Sequence, residues 1–359
     1  MQLAGIVGIV AGRIAECYAR PTLIVSLKKE EGISTGSVGL DLQPQGYDID
    51  VARLLAKGLG VKVELVPVTS ANRIPYLQTK KVDLGNGAVA FPDNVLVECN
   101  PVPGNSRREV VGNFSDCFNR LARVIRNHGV LVPQASANYP AKELEHEDAK
   151  RFGCEAEYCG YELMQMTAPP GADTSTFRSG GGHIHLGAAK ESYPLLAPVK
   201  GDDRTDRDWG RVRVIRMMDL FVGLPSIFID HDPTSAARRK LYGKAGTHRP
   251  KEKYGVEYRS LGNFWLASPR LVELVYDLSA FVVDFVARKE DQKLWSDEFT
   301  CTGYDVDGLR AAINDGNKKA GAKFLNGIVK EKLPAELFQR VFMACEPVQY
   351  DFYPEWGIG

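Results

Sequence analysis

Gly180-Gly-Gly-His183-Ile-His185-Leu-Gly187 sets two imidazoles at i and i+2 between glycines. Side chains of a strand alternate faces, so this spacing predicts a strand with His183 and His185 projecting from one face. The glycines clear side chains from a place where something bulky approaches the backbone. Downstream, Val256-Glu257-Tyr258-Arg259 repeats the geometry, with a carboxylate and a guanidinium on one face and Tyr258 on the other. A His, a Glu and an Arg on one sheet face are what a divalent metal carrying a polyphosphate would need.

Outward from these strands the chain alternates irregularly between periods. Asn94 to Glu98 reads as a strand that offers the Glu98 carboxylate, and Phe152 to Tyr161 as another with Glu155 and Glu157 at i, i+2. A helix is expected from Asn105/Ser106 to His128, its apolar face carrying Val110, Phe114, Phe118 and Leu121, with Gly129 closing it. Val212 to Phe221 and Leu271 to Val286 read as apolar helices, with Pro225 marking a break and Pro269 an N-terminus. Residues 291–359 form a helical tail (Leu309 to Ile313, Ala335 to Met343) that ends in the aromatic segment Tyr350 to Trp356. Ahead of all this, Ile6 to Ala19 has helical spacing, Leu23 to Leu27 is a β-branched run, Asp50 to Lys57 reads as a short helix and Val61 to Val66 as a strand. Such interleaving predicts an α+β fold with a largely antiparallel sheet.

Composition sets bounds. The 45 basic and 45 acidic side chains among 359 residues cancel, which points away from nucleic acid and from an anionic membrane surface. Seven cysteines, an odd number with no CxxC pair, read as reduced thiols of a cytoplasmic protein. No apolar run reaches the ~20 residues that span a bilayer. The segment Arg238-Arg239-Lys240-Leu-Tyr242-Gly-Lys244-Ala-Gly246-Thr-His248-Arg249 reads either as a solvated loop or as a loop facing phosphate.

Three resemblances emerge. Residues 1–36, with Gly5-Ile-Val-Gly-Ile-Val-Ala-Gly-Arg-Ile-Ala-Glu16 and Arg20-Pro-Thr-Leu-Ile-Val-Ser26, resemble the second domain of DHH-family exonucleases. Residues 37–84, with Gly46-Tyr-Asp-Ile-Asp50 and Val66-Pro67-Val-Thr-Ser-Ala-Asn-Arg73-Ile-Pro75, are similar to a fragment of periplasmic amino-acid-binding proteins. Over about 85–290, the ordered motifs VLVECNPVP, FGCEAEY, GGHIHLG, RRKLYGKAG and GVEYRSLGNFW resemble the phage-type carboxylate–amine ligases, a branch of the glutamine-synthetase-like amidoligases. The chain thus reads as a mosaic: an α/β segment over 1–84, an amidoligase-like core over 85–290 and a tail over 291–359 packed on that core.

The ligase resemblance implies a curved antiparallel sheet with flanking helices, which cups ATP and Mg2+ or Mn2+. An acyl phosphate would form on a substrate carboxylate, and an amine would then displace the phosphate. Carried over residue by residue, it places metal ligands at Glu98, His183 and Glu257, with Glu155 and Glu157 as stand-ins for the acidic G-x-D-P-E-like strand that this chain lacks. It places nucleotide contacts at His185, Arg259, Lys240, Tyr242 and Lys244, and anion or catalytic roles at Arg259, Arg238 and Arg239. Small-molecule or peptide carboxylates and an amine are the implied partners, and oligomers are compatible with the family. The competing expectation is a non-catalytic interaction protein, inhibitor or antitoxin-like, on the same scaffold. A zinc hydrolase built on the HxH pair ranks last, since no third His or Cys stands at suitable spacing.

Overall fold

The computed structural model describes residues 96–125, 130–145, 157–166, 176–187, 204–241, 243–251, 254–297 and 299–359, together with short strands at 10–12, 22–24, 37–38, 44–45 and 89–93. The expected helix over 50–57, the strand over 61–66 and most of the exonuclease-like stretch lie outside the described residues. The chain divides into two compact units, Met1–Val130 and Leu131–Gly357.

In the first unit, β1 (Val10–Gly12) pairs antiparallel with β2 (Thr22–Ile24), and β3 (Ser37–Val38) with β4 (Pro44–Gln45). Residues 10–12 are therefore strand, not part of the helix expected over 6–19. The glycines around them weaken a helix, and Ile24 in the β-branched run supplies a partner for Val10. The hairpin of β5 (Val89–Asp93) and β6 (Leu96–Asn100) sets Phe91 opposite Glu98. α1 (Arg107–Ile125) begins with a reciprocal cap: the Glu109 N–H donates to Ser106 Oγ at 3.3 Å, and the Glu109 carboxylate accepts from the Asn105 N–H at 2.7 Å. Its apolar stripe buries Phe114, Cys117, Phe118 and Leu121, as the 3.6-residue period predicts.

The second unit is built on a five-stranded antiparallel sheet. β7 (Ser136–Asn138) forms a separate pair with β10 (Phe177–Ser179). The main sheet runs β11 (Ile184–Gly187), β13 (Gly255–Tyr258), β12 (Thr247–Lys251), β8 (Glu157–Cys159), β9 (Met164–Met166). Every pairing among the described residues is antiparallel, and helices and strands mix throughout, so the fold class is α+β. The sheet contains a proline, Pro250, opposite Val256. Arg259 donates its N–H to the Thr247 carbonyl at 3.1 Å, which sets the ladder alternation. Pro250 thus falls at a position that asks nothing of β13, and it points toward β8, which among the described residues pairs with β12 at Thr247 and His248.

One face of this sheet lies on helices. α2 (Arg204–Met218) runs through a π turn over Asp219–Gly223 into α3 (Leu224–Ile229). The break expected at Pro225 is instead this π turn. The wider turn changes the hydrogen-bond spacing just where proline has no N–H to give, so the helix continues. Ile215, Met218, Leu220, Phe221 and Leu224 are fully buried along it. α4 (Ser235–Leu241) carries the basic triplet, so those residues are helix rather than loop.

α5 (Pro269–Ala287) starts where Pro269 predicts, with Ser268 Oγ accepting the Arg270 N–H at 3.2 Å. Phe281 and Phe285 meet Phe221 at ring-centre distances of 5.1 and 5.2 Å, and this aromatic cluster joins α5 to the π turn. The tail supplies α6 (Val306–Asp315), α7 (Lys318–Phe324) and α8 (Ala335–Ala344). Its aromatic end is tied down by Trp356 Nε1, which donates to the Leu266 carbonyl at 2.8 Å. Among the described residues, no helix is long and apolar enough to cross a membrane.

Candidate active site

Strand alternation and register build a charged face on the second unit. β13 puts Glu257 on it, and the register sets His185 and Arg249 directly across on the two flanking strands. One repeat along, Arg259 follows β13, His183 precedes β11, and Glu157 comes from β8. Lys251, two residues from Arg249, completes the row. The face therefore gathers two carboxylates, three cations and two imidazoles.

The contacts converge on Glu257, which is 3% exposed. Its Oε1 accepts from Arg259 Nη1, lies 3.2 Å from His183 Nδ1 and 3.6 Å from Arg249 Nη1. Its Oε2 meets Lys251 Nζ at 2.9 Å. Arg259 also pairs through Nε with Glu157 Oε1 at 2.5 Å, and its Nη1 stands 3.1 Å from His183 Nδ1. His185 Nδ1 is 2.5 Å from Tyr254 Oη and the ring is exposed.

These neighbours set the protonation states. Burial by itself would raise the Glu257 pKa, but His183 and Arg259 override it and hold the carboxyl well below the usual range. His183 is pulled down to about 3, first by burial and then by the Arg259 charge. Partial desolvation also lowers His185, exposed though it is. Both imidazoles are therefore neutral at pH 7.

A pH dependence follows from the signs. A carboxylate with a lowered folded pKa stabilises above its unfolded value, and that contribution is lost as pH falls below about 4.3. His183 binds its proton more readily unfolded, near 6.5, than folded, near 3, so stability declines as pH drops through that window. Measured by thermal unfolding, the stability of the parent relative to His183→Gln should fall as pH drops below about 6.5.

Arg238 is fully buried and spends its donors on backbone, with Nε to the Gly180 carbonyl at 2.6 Å, Nη2 to Arg259 O at 2.9 Å and Nη1 to Ser260 O at 3.1 Å. It fastens the histidine strand's approach to the end of β13, and its charge is felt at His183. Arg239 is buried beside it in α4, while Lys240 and Lys244 are exposed. Glu98 belongs to the first unit, in β6. Glu155 and Tyr242 lie outside the described residues. The structure thus brings together His183, His185, Glu157, Glu257 and Arg259 from the predicted set.

Arg249 and Lys251 were missed as site residues. Their signal was the i, i+2 spacing in Thr247-His-Arg-Pro-Lys251, hidden by a proline that argues against a central strand. The glycines make room for a bulky group, as expected. A Cβ on Gly182 would stand 2.2 Å from Trp265 Nε1 and 2.4 Å from the Gly262 carbonyl. What approaches here is the protein's own indole, which donates to the Gly182 carbonyl at 3.2 Å. Gly182→Ala should therefore cost about 1–3 kcal/mol, visible as a lowered urea midpoint.

The donor set does not make a ready magnesium site. Among the described residues, no group of three or more His, Cys, Asp or Glu side chains is placed to hold a metal ion. Both Glu257 oxygens face cations, whereas Mg2+ needs near-octahedral oxygen donors. Three cations against two carboxylates, with neutral imidazoles, suit an anion instead.

Comparison with known proteins agrees in part with the motif reading. The family model for phage phiEco32-like COOH.NH2 ligase-type 2 matches residues 210–319, which include β12, β13, Glu257 and Arg259. The model for bacterial extracellular solute-binding proteins, family 3, matches residues 36–93, through β5. These matches support a carboxylate–amine ligase function in general terms, and the mosaic organisation. They lend nothing to the exonuclease resemblance of residues 1–36. No curated protein and no solved structure matches the chain.

Proposed function

We propose that the chain is an ATP-dependent carboxylate–amine ligase whose five-stranded sheet serves as the cup of a glutamine-synthetase-like fold. The observation that carries this reading is the ligase-family match over 210–319, which spans the two strands that supply most of the charged face. Magnesium or manganese enters with the nucleotide, as Mg·ATP. A substrate carboxylate oxygen attacks the γ-phosphorus, the bond to the β,γ-bridging oxygen breaks, and ADP leaves with that electron pair. The amine nitrogen then attacks the acyl carbon, phosphate departs with its oxygen, and the ammonium proton passes to solvent. Arg259, Arg249 and Lys251 hold the transferring phosphoryl oxygens, and His185 at the open rim meets the nucleotide phosphates. Glu257 keeps the three cations aligned in the absence of ligand.

Hydroxylamine tests this, because it traps acyl phosphates as hydroxamates. With Mg·ATP and a panel of amino-acid and peptide carboxylates, ADP release and hydroxamate should appear together and should need the acid. Calorimetry at millimolar Mg·ATP that shows no heat, with no change on His183→Ala, would end the reading. One observation favours the non-catalytic alternative: the lack of a three-ligand cluster among the described residues. In that case a stoichiometric protein partner would bind Glu257→Gln as well as the parent chain.

A further inference from the structure

Between Glu257 and Arg259 stands Tyr258, the one residue of the three that faces the helices, and it is fully buried. Its Oη donates to Asp219 Oδ1 at 2.7 Å. Asp219 is itself fully buried and opens the π turn over Asp219–Gly223, a kind of irregularity that recurs at functional sites. Four residues on, Gly223 makes room for the contact, since a Cβ there would lie 2.4 Å from Tyr258 Oη. Ser260, the next residue on that side, gives its hydroxyl proton to the Lys244 carbonyl at 2.8 Å and lies 3.5 Å from the same Asp219 oxygen.

We propose that Asp219 is a positioning residue for the charged face: from beneath the sheet it grips Tyr258 and thereby fixes how Glu257 and Arg259 are presented. The proposal rests on the ligase reading for its ligand, although the positioning itself does not need it. Asp219 Oδ2 is buried without a hydrogen-bond partner among the described residues, so the grip hangs on a single oxygen. The groups facing the carboxyl are Tyr161, Tyr258, Tyr304, Arg239, Arg310 and the Gly246 N–H. Burial pushes Asp219 up to about 7, against the hydrogen bond from Tyr258. The charge under the strand therefore changes near neutrality, far above the range in which His183 takes up its own proton.

The test uses the full chain with Asp219→Asn and Tyr258→Phe. Each should weaken Mg·ATP binding about tenfold by calorimetry, as expected for one hydrogen bond to a charged group, and the double variant should be no worse than either single one. In the ligand-free parent, the ring-proton NMR signals of His183 and His185 should shift with a midpoint near 7, and Asp219→Asn should abolish that step. Folded variants with parental affinity and an unchanged histidine step would overturn the proposal. If Asp219→Asn does not fold, Tyr258→Phe decides alone, by affinity and by the amplitude of the step. If the parent binds no Mg·ATP, the ligase reading falls while the NMR step still decides the positioning role.

Discussion

Glu257→Gln will lower stability by about 3–5 kcal/mol, the usual cost of breaking a buried ion pair by removing one partner. The substitution keeps the side chain's size but withdraws a negative charge from among Arg249, Lys251 and Arg259, all within 3.6 Å of it. Glu157 remains as a carboxylate for Arg259. Mutual repulsion of the cations then adds to their desolvation. Replacing Arg259 by methionine in the same chain should restore part of the loss, because fewer charges are left to repel. Guanidinium unfolding midpoints of the single and double variants check this, and a Glu257→Gln chain as stable as the parent would show that the pairing is not formed.

Arg238→Met will also cost about 3–5 kcal/mol, and it should do so with little change in nucleotide affinity. Three carbonyls, the buried ones of Arg259 and Ser260 and the half-buried one of Gly180, lose their donor together, and each buried group left unsatisfied costs about 1–3 kcal/mol. Methionine fills much of the volume and supplies no donor. A phosphate-binding arginine would give the opposite pattern, with a loss of affinity and stability intact. Urea unfolding and calorimetry on the same preparation separate the two.

Much of this architecture is legible in the sequence, where the physics is local. The cap at Ser106 and Glu109, the apolar stripe of α1, Pro269 opening α5 and the alternation in Val256-Glu257-Tyr258-Arg259 each follow from neighbours a few residues apart. The convergence of His183, Glu257 and Arg259 is legible too, because period-2 spacing fixes the face even without the register. What could not be read is where a buried cation sends its donors. Arg238 and Arg239 look like a phosphate loop in sequence, yet helix α4 turns them inward, and the carbonyls that Arg238 holds lie 21 and more residues away. Asp219 was silent for the same reason: its partner lies 39 residues along the chain. Pro225 misled because it sits where the fold requires no amide proton, and Pro250 sits at another such place.

Pro250 has a consequence beyond the pairing of its own sheet. Among the described residues β8 pairs with β12 no further than His248, and beyond it on that side Pro250 is the one residue that cannot donate, so an extended segment seeking the ladder there would find a gap. Lys251 follows at once and brings a charge that such a newcomer would have to desolvate. The same short stretch that furnishes cations to the cup thereby discourages runaway self-association through this edge.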